Sequence, residues 1–190
     1  MWFINYLSIF LTIIFLNIKA KNFVKKKAEE IMIHPYEPLP DTIHLVSPKI
    51  PLHTGDYVML VTSIYTIFQY FTIGLNDWIL NVHCLMYSLL LRPFFICATI
   101  FPSCLSKPTK KLNFYDNCLV STHDFMFSGH TCVFTFLGKC VGGILGNLIQ
   151  FLFPLIIIMA RAHYTIDVLV SIIVYNFFYN FIINNALIII

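Results

Sequence analysis

His163 and Asp167 stand four positions apart in the stretch His163-Tyr164-Thr165-Ile166-Asp167. On a helix, that spacing puts both side chains on one face, close enough for a carboxylate to hold an imidazole in one tautomer. A second histidine, His130, lies 33 positions earlier in Ser128-Gly129-His130-Thr131, and the residues between are almost all apolar. An antiparallel hairpin of two membrane helices would use up those residues and return the chain to the side it left. At 1.5 Å per residue each arm would be roughly 24 Å long, near the thickness of a hydrocarbon core. Gly146-Asn147 at the centre is a turn signal, and Gly142-Gly143 is another. The spacing therefore predicts two histidines and one aspartate at one membrane surface. Such a set suits phosphoryl transfer, with one histidine as nucleophile and the other as acid and base.

The elements that must position these residues are apolar. Hydrophobic residues make up 58% of the 190-residue chain and charged residues 11%, too few charges to cover a soluble domain of this length. The chain has room for a single membrane domain, residues 1–190, with a catalytic core over 34–170. The net charge of +3 is small and the lysines are clustered, so nothing points to nucleic acid. The six cysteines show neither C-x-x-C nor a zinc-ligand spacing, and no metal or other cofactor is implied. Cys84, Cys97, Cys132 and Cys140 fall in apolar runs as small hydrophobes. Cys104 and Cys118 share a polar loop and could pair if it faces an oxidising lumen.

Along the chain, Trp2 to Ile18 reads as a retained span, and the lysine-rich Lys19 to Glu30 as an interfacial helix or solvated flank. His34 to Asp56 is a polar loop holding five of the nine prolines, among them Pro38-Leu39-Pro40-Asp41. Tyr57 to Leu75 and Trp78 to Phe101 read as the second and third spans. Arg92, near the far end of the third, is a functional-site hypothesis because an arginine inside a span is expensive. From there it could reach a phosphate at the surface with a bidentate fork; the plainer reading is snorkelling to the interface. A second polar loop, Pro102 to Phe127, precedes Ser128, which can cap a short fourth span. Gly129 lets a ligand approach the backbone, and the helix N-terminus there offers free N–H groups to an anion. A fifth span runs from about Leu148 to Ala160 and a sixth to about Ile183. The expected architecture is an all-α integral membrane protein, a six-transmembrane-helix bundle.

These residues resemble the sphingomyelin synthase family and its relatives. Ser128-Gly129-His130-Thr131, with Asp124 four before the serine, is similar to the family signature C-G-D-x-x-x-S-G-H-T. His163-Tyr164-Thr165-Ile166-Asp167-Val168 resembles H-Y-T-x-D-V, and Pro38-Leu39-Pro40-Asp41 resembles P-L-P-D. Arg92, followed by Thr99 and Pro102, is similar to the end of another signature. The order and loop placement also match, from the first span onward. The chain departs from the pattern at Thr122-His123, where the family has Cys-Gly, and at Leu80-Asn81, near the place of an Arg-Arg pair. The broader kin, type 2 phosphatidic acid phosphatases, share S-G-H and H-x-x-x-D. Their pattern is matched less well, with Leu85 in place of a lysine and no serine-arginine pair suitably placed before His163.

The resemblance implies transfer of a phosphorylated head group, phosphocholine or phosphoethanolamine, from a glycerophospholipid donor to a ceramide acceptor, releasing diacylglycerol. His163 would be the nucleophile, Asp167 its partner and His130 the acid and base. Arg92, Asp124, Ser128, Gly129, Thr131 and Tyr164 would bind substrate. Asp124, Phe125 and Phe127, with Tyr36 or Tyr115, could surround a quaternary ammonium. The resemblance also implies a multi-pass protein of the Golgi, endoplasmic reticulum or plasma membrane, with a lumenal or exoplasmic site. Positive-inside counting points the other way, since the two loops on the site's side carry Lys19, Lys21, Lys25, Lys26, Lys27, Lys49, Lys107, Lys110 and Lys111, and the opposite side only Lys139. The triad itself also fits a lipid phosphate phosphatase, in which water replaces ceramide. A third reading is an inactive, ceramide-sensing membrane paralogue.

Overall fold

Six apolar stretches interrupted by Pro- and Gly-bearing loops dictate helices throughout, and helices are what form. The computed structural model describes residues 2–31, 38–70, 75–102, 104 and 126–189. In chain order these are α1 (Trp2–Glu30), α2 (Thr42–Val46), α3 (Thr54–Tyr70), α4 (Leu75–Ala98), α5 (Gly129–Val141), α6 (Gly143–Asn147), a π-helical turn (Leu148–Leu152), α7 (Phe153–Met159) and α8 (Thr165–Ile189). No strand occurs among the described residues. Three of these helices are long and apolar enough to cross a membrane, over Tyr6–Glu30, Asp77–Ala98 and Thr165–Asn185. Only 17%, 28% and 22% of their apolar windows are buried inside the molecule, so most of these side chains face outward, as lipid contact requires. The expected count of six spans is met by three at full length; α3 and α5, at 17 and 13 residues, are shorter.

Two sequence expectations are corrected. Lys19–Glu30 is not a separate interfacial helix but the continuation of α1, because no breaker interrupts the run and Ala20, Val24 and Ala28 keep an apolar stripe at helical spacing. Ala20 and Val24 pack against Ile96 of α4. The hairpin between α5 and α7 turns at Gly142-Gly143, where φ is 68° and 59°, a region glycine enters without steric cost. Gly146-Asn147 is helical instead. Gly146 serves packing: a Cβ there would strike the Gly138 carbonyl, so this glycine pair lets the two backbones touch.

Two prolines are absorbed inside helices. Pro154 follows the π-helical turn, a wider winding that accommodates the missing N–H. Pro93, within α4, cannot donate to the Leu89 carbonyl, and Asn17 Nδ2 of α1 approaches that carbonyl at 3.5 Å. Asn17, a polar residue within α1, thus serves the α1–α4 contact. The central core joins Cys84 of α4, Phe134, Leu137 and Cys140 of α5, Ile149 of the π-helical turn, Ile157 of α7 and Tyr175 of α8. Tyr175 closes it by donating to the Asn81 side-chain oxygen at 3.1 Å.

Candidate active site

The chain reverses between α7 and α8 through Ala160–Tyr164. Arg161 takes a left-handed conformation, φ 59°, which costs a non-glycine residue about 1–2 kcal/mol. Its guanidinium offsets that by donating to the carbonyls of His44 and Ser47, the latter at 3.0 Å, and to Ser47 Oγ at 3.3 Å. The turn ends on His163 and Tyr164, and α8 starts at Thr165. Asp167 is then the third residue of the helix, and its Oδ2 accepts from the Tyr164 backbone N–H at 2.9 Å, the returning half of a capping box. The same oxygen lies 3.2 Å from His163 Nδ1. With the carboxylate accepting, the proton is on Nδ1 and Nε2 carries the lone pair. Asp167 is fully buried and the His163 side chain is 11% exposed, so this pair sits in a nearly dry setting.

His130 enters from the first turn of α5. Ser128 caps that helix by accepting from Thr131 N–H at 3.2 Å. The Ser128 N–H in turn donates to Ser171 Oγ at 2.7 Å, and Ser171 donates to the Asp167 carbonyl at 2.7 Å. This chain of hydrogen bonds ties the start of α5 to the first turns of α8 and sets the spacing of the two histidines. Their rings face each other with centroids 6.5 Å apart and planes at 60°, close enough for one tetrahedral phosphorus to be approached by both. A Cβ built on Gly129 would meet nothing within 4 Å, so the helix N-terminus beside His130 is open to a ligand. His130 Nε2 lies 3.0 Å from Asp56 Oδ1, at the start of α3.

The other expected residues divide. Arg92 donates from Nε to the Phe127 carbonyl at 3.3 Å and from Nη1 to Asn17 Oδ1 at 2.6 Å, so it stands directly behind the cap of α5 and braces it against α1. Tyr164 is buried, its hydroxyl donating to the Pro102 carbonyl at 3.0 Å and accepting from Leu39 N–H at 2.9 Å. Burial, countered by the Leu39 N–H, holds its phenol far above its ordinary value, so it braces as a neutral group. Thr131 is fully buried beneath the cap. Phe127 is also fully buried, stacked on Phe95 at 5.5 Å, which removes it from any cage around a head group. Asp124, Phe125, Tyr36 and Tyr115 lie outside the described residues, as does Cys118. Cys104 is a free thiol, buried beside Tyr164 and Phe101 and raised by that burial.

Residues 38–50 form a strap over the turn that carries His163. Asp41 accepts from Ile43 and His44 N–H groups to cap α2, and from the Thr165 N–H and hydroxyl at the start of α8. Burial would raise its carboxyl, but the hydrogen bonds from Thr165 and His44 hold it below its ordinary value. His44 Nε2 lies 3.1 Å from the His163 carbonyl and its ring stacks on Tyr164. Sequence reasoning found Asp41 only as a rigid turn and a family motif, and it missed His44, Ser171 and Asp56. Each pairs with a residue 43 to 119 positions away, or acts through one, and no local spacing signals such a contact. Among the described residues, no group of three or more histidine, cysteine and acidic side chains is placed to hold a metal ion.

Residues 122–185 match the sequence family described as PAP2 superfamily C-terminal, a segment that contains His130, His163 and Asp167. The match supports a relation to the type 2 phosphatidic acid phosphatase superfamily, and with it a lipid enzyme of the phosphatase or phosphotransferase kind. No curated protein and no solved structure matches the chain.

Proposed function

We propose that the chain is a membrane-embedded lipid phosphotransferase that moves a phosphocholine or phosphoethanolamine head group from a glycerophospholipid to ceramide. The reading takes the chain as one membrane domain in a six-span bundle, with α3, α5 and the α6–α7 stretch as the shorter spans. The observation that carries it is the buried His163–Asp167 pair facing His130 across an open helix N-terminus. His163 Nε2 attacks phosphorus, the bond to the diacylglycerol oxygen breaks, and that oxygen takes a proton from His130. Asp167 offsets the charge that develops on His163. In the second half His130 removes the proton from the ceramide hydroxyl, whose oxygen attacks phosphorus and displaces His163. Arg92, Ser128, Gly129, Thr131 and Asp124 shape the phosphate side of this site, and Tyr164 supports the nucleophile.

A phosphatase reading uses the same first half, with water taking the place of ceramide, and the PAP2-superfamily match favours it equally. Purified protein in liposomes containing labelled ceramide and each phospholipid donor separates the two. Labelled phosphoceramide with diacylglycerol supports transfer; a free phosphorylated head group or inorganic phosphate with unmodified ceramide supports hydrolysis. His163→Ala should abolish either product, by at least about a thousandfold, as removal of a nucleophile does. Near-normal turnover by a folded His163→Ala protein would end both readings.

A further inference from the structure

One carboxylate beside the histidines has no part in the scheme above. Asp56, in the first turn of α3, puts Oδ1 3.0 Å from His130 Nε2, and its Oδ2 lies 3.6 Å from His53 Nδ1. The contact with His130 crosses 74 positions and joins two helices, so it is made by the tertiary fold and not by local spacing. It repeats the carboxylate–imidazole pairing of His163 and Asp167, and the two pairs meet ring to ring. Their surroundings differ in one respect that matters. Asp167 is sealed from solvent, whereas the side chains of His130, Asp56 and His53 are 37%, 55% and 76% exposed. The inner pair is sealed and the outer pair is half-buried, with Asp56 on its exposed side.

We propose that Asp56 is the positioning residue of the acid and base, holding the His130 ring by Nε2 and favouring its doubly protonated form when the donor lipid binds. The inference rests on the proposed roles of His130 and His163. With Nε2 held, the exchanged proton is the one on Nδ1: it goes to the departing oxygen in the first half, and Nδ1 takes one from the incoming hydroxyl in the second. Asp56 stays ionised throughout and exchanges no proton. The groups facing His130 explain why such a partner is needed. Burial of the ring, then His163 from the turn before α8 and, more weakly, Arg92 from α4 act against a second positive charge on it. Asp56, with His53 of the turn before α3 at its other oxygen, is the carboxylate in direct contact that favours it. Asp167 faces His163 and is taken up there.

The test is a direct titration. Histidine-labelled protein in lipid nanodiscs gives ring signals by NMR, and His130 is identified by the signal lost in His130→Gln. In Asp56→Asn the His130 midpoint should fall by about one pH unit, a tenfold change in proton affinity, as loss of a contacting opposite charge implies. Asp56→Glu should restore most of it, which a merely structural role would not produce. The alkaline limb of the rate profile for lipid turnover should move down with the midpoint while KM for the donor stays the same. An unchanged His130 midpoint in Asp56→Asn, or in Asp56→Ala should the asparagine variant not fold, overturns the proposal whatever the activity. Full turnover by His163→Ala would instead overturn the functional reading, and the two failures are read on different variants.

Discussion

Asp41 binds Thr165 twice, Oδ2 accepting from the backbone N–H at 2.7 Å and Oδ1 from the hydroxyl at 2.8 Å. The same carboxylate caps α2, so one negative charge stands at the N-termini of two helices, where it is favoured. Thr165 follows His163 by two positions, and through it the strap and the nucleophile move as one piece.

That pairing predicts a pH dependence of stability. The Asp41 carboxyl is lowered in the folded state, so its contribution is fully present above the unfolded value of about pH 4 and is lost as pH falls through the lower folded value. Thermal unfolding in detergent should weaken below about pH 4 more steeply for the natural protein than for Asp41→Asn. At neutral pH Asp41→Ala should cost about 1 kcal/mol from the cap to α2 alone. Parallel pH profiles of the two proteins would show that the charge on Asp41 has no such part.

Arg92 bridges Asn17 and the Phe127 carbonyl, and a lysine cannot hold both with one ammonium. Arg92→Lys should lower stability by about 1–3 kcal/mol through the carbonyl left unpaired. Asn17→Leu should act in the same direction. The double variant should lose at least about 0.5 kcal/mol less than the sum, because the residues share one network. Strict additivity of the unfolding free energies would separate them.

The glycines give a contrast between fold and chemistry. A Cβ on Gly138 would lie 2.5 Å from the Gly146 carbonyl oxygen and 2.9 Å from Gln150 Cβ. Gly138→Ala should therefore destabilise by about 1–3 kcal/mol through overpacking. Gly129→Ala meets open space and should leave the unfolding midpoint nearly unchanged, while lowering turnover by about tenfold or more as the bound phosphate is displaced. A Gly129→Ala protein of full activity would mean that the open space takes no part of the substrate.

Sidedness can be read at Leu45, which is 77% exposed on the strap beside the site. In a background with Cys97→Ser, Cys104→Ser and Cys118→Ser, Leu45→Cys should react with a membrane-impermeant thiol reagent from the lumenal or exoplasmic face. Reaction from the cytosolic face alone would follow the lysines and reverse the orientation.

The sequence made the inner pair legible because it is local: His163 stands in the turn just ahead of α8 and Asp167 in that helix's first turn, so a spacing of four brings them together although only Asp167 is helical. Ser128 was legible for the same reason, as a cap. What spacing could not show was contact made across helices. Asp56 reads as the end of a polar loop until α3 and α5 pack side by side, and His44 reads as one more loop histidine until the strap folds over Tyr164. Of the two turn signals, Gly142-Gly143 makes the turn and Gly146-Asn147 does not, because glycine serves two needs. Positive φ required it at Gly142-Gly143, and close backbone approach required it at Gly146.

His163 sits just ahead of α8, whose apolar length, Thr165–Asn185, is 21 residues. At 1.5 Å per residue that is about 32 Å, close to the thickness of a hydrocarbon core. On the function proposed above, α8 is thus a ruler with the nucleophile fixed to one end, and the bilayer sets the elevation of the chemistry. A thinner membrane tilts the ruler, and a thicker one draws His163 beneath the plane of the lipid phosphates. On that reading, the acyl chains of the surrounding lipids would govern the rate through height, before any pocket has recognised a chain.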